Sequence, residues 1–280
     1  MSAQAAPPAD QKAHWNSTGG GAWVELQELM DRLNAPIKER VIARAFPGAG
    51  GRVLDVGCGA GDTTLDMARR LGPEGLCIGV DISEPLLERA RDRAEEERLA
   101  NVRFVQADAQ TYRPEAPFDA IMSRFGVMFF SDFDAAFANL RQALRPGGRM
   151  AFACWRRPQD NPLALVPITA AAPFLPPLPQ PDPDAPGRFA FADPDRVSGI
   201  LERSGWADIR IDPLDEPTPL SLEEALAISL RMGFLGPVVA QQDAAVQASV
   251  KAAVEAALAE HVHDGVVQMS AACWLVEATA

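Results

Sequence analysis

The sequence predicts an α/β protein: a parallel sheet with helices on both faces. Two observations carry this. From Arg52 onward, short apolar runs alternate with amphipathic stretches of helical period. The first run, RVLDV, enters its helix through a glycine-rich turn, DVGCGAG at 55–61, the kind of junction at which α/β sheets hold nucleotides.

The elements follow in chain order. The first 15 or so residues read as disordered. AWVELQELMDRL then places Trp23, Leu26, Met30 and Leu33 at helical spacing. A second helix is expected from Pro36, since proline suits a first helical turn, to about Phe46, where PGAGG ends it. RVLDV is the first strand. DTTLDMARRL is a helix capped by Asp62 or Thr63 and closed by Gly72-Pro73. LCIGVD is the second strand. SEPLLERARDRAEEERL is a helix with Ser83 as cap, Pro85 in its first turn, and Leu86, Leu87, Ala90 and Ala94 on one face. VRFVQAD and FDAIMSR are the third and fourth strands. DFDAAFANLRQALRPGG is a helix with Phe133, Phe137, Leu140 and Leu144 inward, stopped by Pro146-Gly147-Gly148. RMAFACW is the fifth strand. The alternation breaks at Arg156. Residues 158–194 are rich in proline yet too apolar for a solvated linker, and read as an irregular insertion packed over the sheet. A helix (DPDRVSGILERSGW) and a sixth strand (ADIRID) follow. Residues 221–263 read as two helices, and CWLVEAT as a last strand.

A net charge of −12 argues against general binding to nucleic acid or to anionic membranes, which need basic surface. The four cysteines form no CxxC pair, and none of the His, Cys, Asp or Glu spacings suggests a metal site. Buried reduced thiols are expected. Neither a signal-peptide core nor an apolar run of membrane-spanning length is present, which fits a cytoplasmic protein.

The chemistry begins at the glycine loop. Dinucleotide folds use GxGxxG and bring a pyrophosphate to a helix N-terminus. Here the glycines are Gly57, Gly59 and Gly61, and Asp55 precedes them. A carboxylate there would repel pyrophosphate and favour a ligand with cationic groups and no phosphate. S-adenosylmethionine fits, having an ammonium, a sulfonium and an adenosine. A bare strand-to-helix turn is the alternative. The second strand ends in Asp81, able to accept from both ribose hydroxyls or to cap a helix. The third ends in Asp108-Ala109, able to meet an adenine edge or to form a turn. Three acids ending three successive strands lie on the edge where parallel sheets bind ligands.

With VLDVGCGAGDTT, IGVDISEPLLERAR, VRFVQADAQ, FDAIMSRFGVMFF and ALRPGGRMAF in order, the chain resembles the class I S-adenosylmethionine-dependent methyltransferases. Among them it is similar to the small-molecule methyltransferases of the quinone-biosynthesis type. The resemblance implies a Rossmann-like seven-stranded mixed sheet of order 3-2-1-4-5-7-6, its last strand antiparallel, under a partly helical lid. It implies S-adenosylmethionine as cofactor and S-adenosylhomocysteine as product. By position, Gly57 and Gly59 would cradle the methionine part, Asp55 would support its ammonium, Asp81 would hold the ribose, and Asp108 and Ala109 the adenine. Gly61, Thr63, Ile82 and Ser123 complete the expected cofactor set. The domain division expected is 1–45, arm and lid helices; 46–155, cofactor-binding half; 156–192, Pro-rich lid; 193–212, core helix and sixth strand; 213–265, helical lid; and 266–280, final strand.

Methyl transfer needs alignment and exclusion of water, and a base only where the acceptor must lose a proton. The candidates are therefore few. His14 lies in the arm expected over the cofactor, or is a surface histidine. His261 and His263 end an alanine-rich helix, where they suit the helix dipole. Arg124 binds an anionic acceptor or pairs with a neighbouring acid. Trp15, Arg124, Phe125, Met128 and Phe129 are expected to border a closed apolar pocket for a small-molecule acceptor, in a monomer or homodimer. Non-methylating chemistry on the same scaffold, or binding without turnover, is the other reading.

Overall fold

Seven strands form one sheet in the order β3-β2-β1-β4-β5-β9-β6. They are β1 Arg52–Val56, β2 Leu76–Asp81, β3 Val102–Gln106, β4 Phe118–Arg124, β5 Leu144–Trp155, β6 Ala207–Pro217 and β9 Ser270–Thr279. The first five pair in parallel, and β9 runs antiparallel to both β5 and β6. This is the topology expected, with the last strand in chain order inserted next to last in space. The computed structural model describes residues 15–16, 18–178, 182, 185–232 and 235–280, without the side chains of 18–20 and 22. The expectations for residues 1–14, His14 among them, lie outside the described residues.

Helices α1 (Thr18–Glu25), α2 (Gln27–Ala45), α3 (Asp62–Leu71), α4 (Glu84–Glu96), α5 (Phe133–Gln142) and α7 (Pro194–Arg203) flank the sheet. The central strands β1, β2 and β4 are buried along most of their length, as strands covered on both faces must be. Phe118, Phe137, Phe152 and Phe191 are fully buried in the main core. Each such ring contributes about 1.5–3 kcal/mol by leaving water. Trp206 is also buried, and its indole N–H donates to Phe137 O at 3.0 Å.

A second core lies outside the sheet. It gathers Leu220, Leu226, Leu235, Val250, Val254 and Leu258, with Leu29, Leu33, Leu163 and Val166 packed against it. Its helices are α6 (Pro162–Ala171), α8 (Leu222–Arg231), α9 (Leu235–Ala240) and α10 (Ala244–Ala259), beside a hairpin of β7 (Val262–His263) and β8 (Val266–Val267). Both insertions and the start of α2 thus share one core. Buried Asn161 anchors it to the sheet by mimicking a strand partner: its Nδ2 donates to Ala272 O at 3.1 Å and its Oδ1 accepts from Ala272 N at 3.0 Å. Among the described residues, no helix is long and apolar enough to cross a membrane.

Several local expectations are corrected. The chain breaks at Leu26, not before Pro36, which lies inside α2; burial of Ile37, Val41 and Ile42 carries the helix through it. Neither Asp62 nor Thr63 caps α3, because Gly61 at φ +84° takes the N-cap place. Ser83 sits at the N-cap of α4 but its hydroxyl is bonded elsewhere. Helix α5 ends before Leu144, and Pro146-Gly147-Gly148 lies in β5, where the register against β4 shifts. The Pro-rich insertion contains helix α6, and residues 221–263 hold three helices rather than two. Strand β6 runs on to Pro217.

Candidate functional site

The C-terminal ends of β1 to β5 form one edge, and the residues singled out in the sequence gather there. After Val56 the chain turns through Gly57, Gly59 and Gly61 at φ +67°, +54° and +84°, a region open to glycine at little cost. The amides of Gly57 and Cys58 both donate to Val80 O, at 2.8 and 3.2 Å. The three glycines do different work. A Cβ on Gly57 would lie 2.6 Å from Gly126 Cα, just after β4. One on Gly61 would lie 2.9 Å from the Phe104 ring and 3.0 Å from Ala90. A Cβ on Gly59 would meet nothing within 4 Å, so the middle of the loop faces open space.

Asp81 ties this loop to the next strand. Its Oδ2 accepts from Gly59 N at 2.8 Å and its Oδ1 from Ser83 N at 2.9 Å. Burial pushes its carboxyl up, and the backbone bonds from Ser83, Gly59 and Ile82 oppose that. Asp108 is exposed, its Oδ1 accepting from Gln110 N at 2.9 Å, while Ala109 beside it is buried. Ser123 is fully buried: its Oγ donates to Val56 O at 2.7 Å and accepts from Gly126 N at 3.1 Å. It braces β4 against β1. Thr63 is buried in the first turn of α3, and Ile82 O accepts from Asn16 Nδ2 at 2.9 Å.

Asp55 lies beneath the loop, 1% exposed, its Oδ2 accepting from Thr64 Oγ1 at 2.7 Å. Burial raises its pKa from 3.8 to about 7, against the Thr64 bond and the charge of Arg124. The folded state therefore holds this proton more tightly than the unfolded chain. Its stabilising effect is complete below about pH 4 and is lost as pH rises to about 7. Asp55→Asn, which keeps the shape of the neutral acid, should gain stability over the native chain across pH 4–7 and hold that gain above. Melting curves over that range check it, and a gap independent of pH would contradict it.

A half-buried charge cluster lies beside the loop. Lys38 Nζ bonds Asp62 Oδ1 at 2.8 Å, and Arg93 Nη1 reaches Asp31 Oδ2 at 3.1 Å and Ala60 O at 2.8 Å. Burial, then repulsion from Asp62, pushes the Asp31 carboxyl up against the pull of Arg93 and Arg124. Arg124, at the end of β4, approaches Asp62 Oδ2 only to 3.6 Å. Its side chain is 9% exposed, and its Nε and Nη1 are buried without a hydrogen-bond partner, as is Asp62 Oδ2. A buried guanidinium with open donors is costly unless something fills them.

The arm crosses this edge. Trp15 O accepts from Ser83 Oγ at 2.7 Å, and Asn16 Oδ1 accepts from Glu84 N at 3.1 Å. The Trp15 ring packs edge-on against Phe129 at 5.7 Å, beyond β4. Residues 15–16 thus bridge from the end of β2 to the turn after β4. Phe125, at φ +65°, is buried and stacks on Trp155 at 4.2 Å. Met128 is fully buried in the main core, and Phe129 is half-buried. His263 falls in the lid hairpin.

Sequence reasoning missed Gly126, Asn16, Trp155 and the Asp31–Lys38–Asp62–Arg93 cluster. Gly126 carried a signal, a glycine two residues past a strand end. The cluster carried none, since its members lie on three helices far apart in sequence.

A family model described as "Methyltransferase domain" matches residues 53–148. The aklanonic acid methyltransferase of a Streptomyces strain is 35% identical over 136 residues, 47% of this chain and 62% of that protein. The ubiquinone/menaquinone biosynthesis C-methyltransferase of Teredinibacter turnerae is 33% identical over 171 residues, 58% of this chain and 69% of that one. The chain thus spans 62% and 69% of the lengths of these two curated relatives. The solved YcgJ protein of Bacillus subtilis shares the fold, with a TM-score of 0.57 at 20% identity over 85% of this chain and 95% of that one.

Proposed function

Because this chain belongs to the class I S-adenosylmethionine-dependent methyltransferases, similar within them to the quinone-biosynthesis type, we propose that it methylates a small molecule held beneath its lid. The observation that carries this is the set of groups along the strand ends: open space over Gly59, Asp81 beside it, and the unpartnered nitrogens of Arg124. These fit the cofactor's parts.

In this reading the Gly57 and Gly59 backbone cradles the amino-acid part, and the Arg124 guanidinium supplies the positive charge for its carboxylate. Asp55 supports the ammonium from beneath the loop. Asp81 has lone pairs left for the ribose, and Asp108 with Ala109 meets the adenine. Ser123 and Thr63 shape the cradle from behind. Residues 46–155 bind the cofactor, and 156–192 with 213–265 cover the acceptor.

When bound, S-adenosylmethionine supplies a methyl group on a positively charged sulfur, with a neutral leaving group. In-line displacement then asks the protein for alignment and for exclusion of water. Trp15, Phe129 and the second core supply cover beside the Phe125–Trp155 stack. The names of the two relatives, a ubiquinone/menaquinone biosynthesis C-methyltransferase and an aklanonic acid methyltransferase, support a small-molecule acceptor of that kind.

The test is incubation with methyl-labelled S-adenosylmethionine and a panel of small phenols, quinols and aromatic acids. The expected result is labelled product with an equal yield of S-adenosylhomocysteine. Cofactor binding with no labelled product from any acceptor would overturn the proposal.

A further inference from the structure

An arginine beside the sheet has no ion-paired carboxylate among the described residues. Arg188 lies between α6 and α7, in a segment held to the sheet where Gly187 N donates to Met128 O at 2.9 Å. That bond fixes it beside the ends of β4 and β5. The Arg188 guanidinium lies 4.2 Å over the Trp155 ring and 5.3 Å from that of Phe189. Trp155 in turn stacks on Phe125 at 4.2 Å with rings 10° apart. Arg188, Trp155 and Phe125 are therefore layered along the acceptor side of the strand ends.

Among the described residues no carboxylate forms an ion pair with Arg188, and its Nε is sealed from solvent without a partner. Burial lowers its pKa to about 10, so it stays charged at neutral pH. Its titratable neighbour is the Cys273 thiol, pushed up to about 12 by burial and therefore neutral. The acids near Cys273 are engaged: Asp215 bonds Arg156 at 3.0 Å, and Glu216 faces Arg40 at 3.5 Å.

We propose that Arg188 binds an anionic oxygen group of a planar aromatic acceptor, a carboxylate or a phenolate, and so selects which acceptors enter. This rests on the methyl-acceptor reading of the site. A guanidinium stacked by its face on an aromatic ring keeps its in-plane N–H donors for ligand, and those donors match paired or single anionic oxygens. A half-buried cation with one sealed donor and no ion-paired carboxylate among the described residues gains from a ligand that supplies a counter-charge. Half-buried Trp155 and Phe189 make the surroundings of the guanidinium aromatic, which suits a flat ring. The chain's net charge of −12 would otherwise repel such a ligand, so a local cation is needed.

The test is calorimetric binding in saturating S-adenosylhomocysteine, with two matched pairs at pH 8. One pair is 1-hydroxy-2-naphthoate against its neutral amide. The other is 4-nitro-1-naphtholate against its methyl ether. The native chain should bind the anion of one pair at least roughly tenfold tighter, the scale of one charge-assisted hydrogen bond. The preferred pair tells carboxylate from phenolate. Arg188→Met should bring that preference to within about twofold, and Arg188→Lys should restore part of it. Affinity for S-adenosylhomocysteine, read in the same variants, should not change. No preference in either pair, or a preference that survives Arg188→Met, would overturn the assignment. Anion binding without methyl transfer would sink the methyl-transfer reading and leave Arg188 in its role. Methyl transfer without an Arg188-dependent preference would do the reverse.

Discussion

Asp81→Ala should lower affinity for S-adenosylmethionine by at least about tenfold, the effect of losing one hydrogen bond to a charged group at about 1.5–3 kcal/mol. The loss has two sources. The carboxylate would no longer meet the ribose. It would also no longer hold Gly59 N at 2.8 Å and Ser83 N at 2.9 Å, which tie the loop to β2. Asp81→Asn keeps one carbonyl oxygen but turns an amide N–H₂ toward a backbone N–H, so it should fall between alanine and the native chain. Calorimetry beside a far-ultraviolet melt separates affinity from folding. Native affinity in a folded alanine variant would remove Asp81 from the site.

The second large effect comes from the loop glycines, and it should split between stability and binding. Alanine at Gly57 meets a left-handed backbone at φ +67° and places its Cβ 2.6 Å from Gly126 Cα, where only backbone can move. The left-handed strain alone costs about 1–2 kcal/mol. Gly57→Ala should therefore lower the melting temperature by several degrees and abolish cofactor binding. Gly59→Ala carries strain at φ +54° but no clash. It should lose less stability, yet its methyl enters the space left for ligand, so affinity should drop by more than the stability change explains. If Gly59→Ala bound cofactor as tightly as the native chain, the open space over that loop would not be the cofactor's place.

The fold was legible where burial dictates the pattern. LCIGVD and FDAIMSR coincide with β2 and β4 to the residue, because strands covered on both faces leave little room for polar positions. Boundaries failed where tertiary packing outweighed local preference. Pro36 reads as a helix start but sits inside α2, held there by the burial of Ile37 and Val41. Leu144 fits a helical face, but it opens β5 and pairs with Phe118. The lid helices were blurred by proline and alanine, whose patterns give no clear amphipathic face; α6 is apolar all round.

The candidate site was legible as a row of strand ends: Asp55, Asp81, Asp108 and the three glycines stand in a repeating grammar of strand, turn and helix. Its long-range parts were not. Lys38 and Arg93 come to Asp62 from two other helices, and Arg188 comes to Trp155 from the far side of the lid. Such pairs have no shared period or spacing, so only the folded chain brings them together. Ser123 was expected to line the ligand, yet its hydroxyl is committed to Val56 O and Gly126 N.

The most direct measurement is a calorimetric titration of the purified protein with S-adenosylmethionine, run beside one with NADH. The expected result is saturable one-to-one binding of S-adenosylmethionine and no heat from NADH. Silence with S-adenosylmethionine, or saturable binding of NADH in its place, would contradict it.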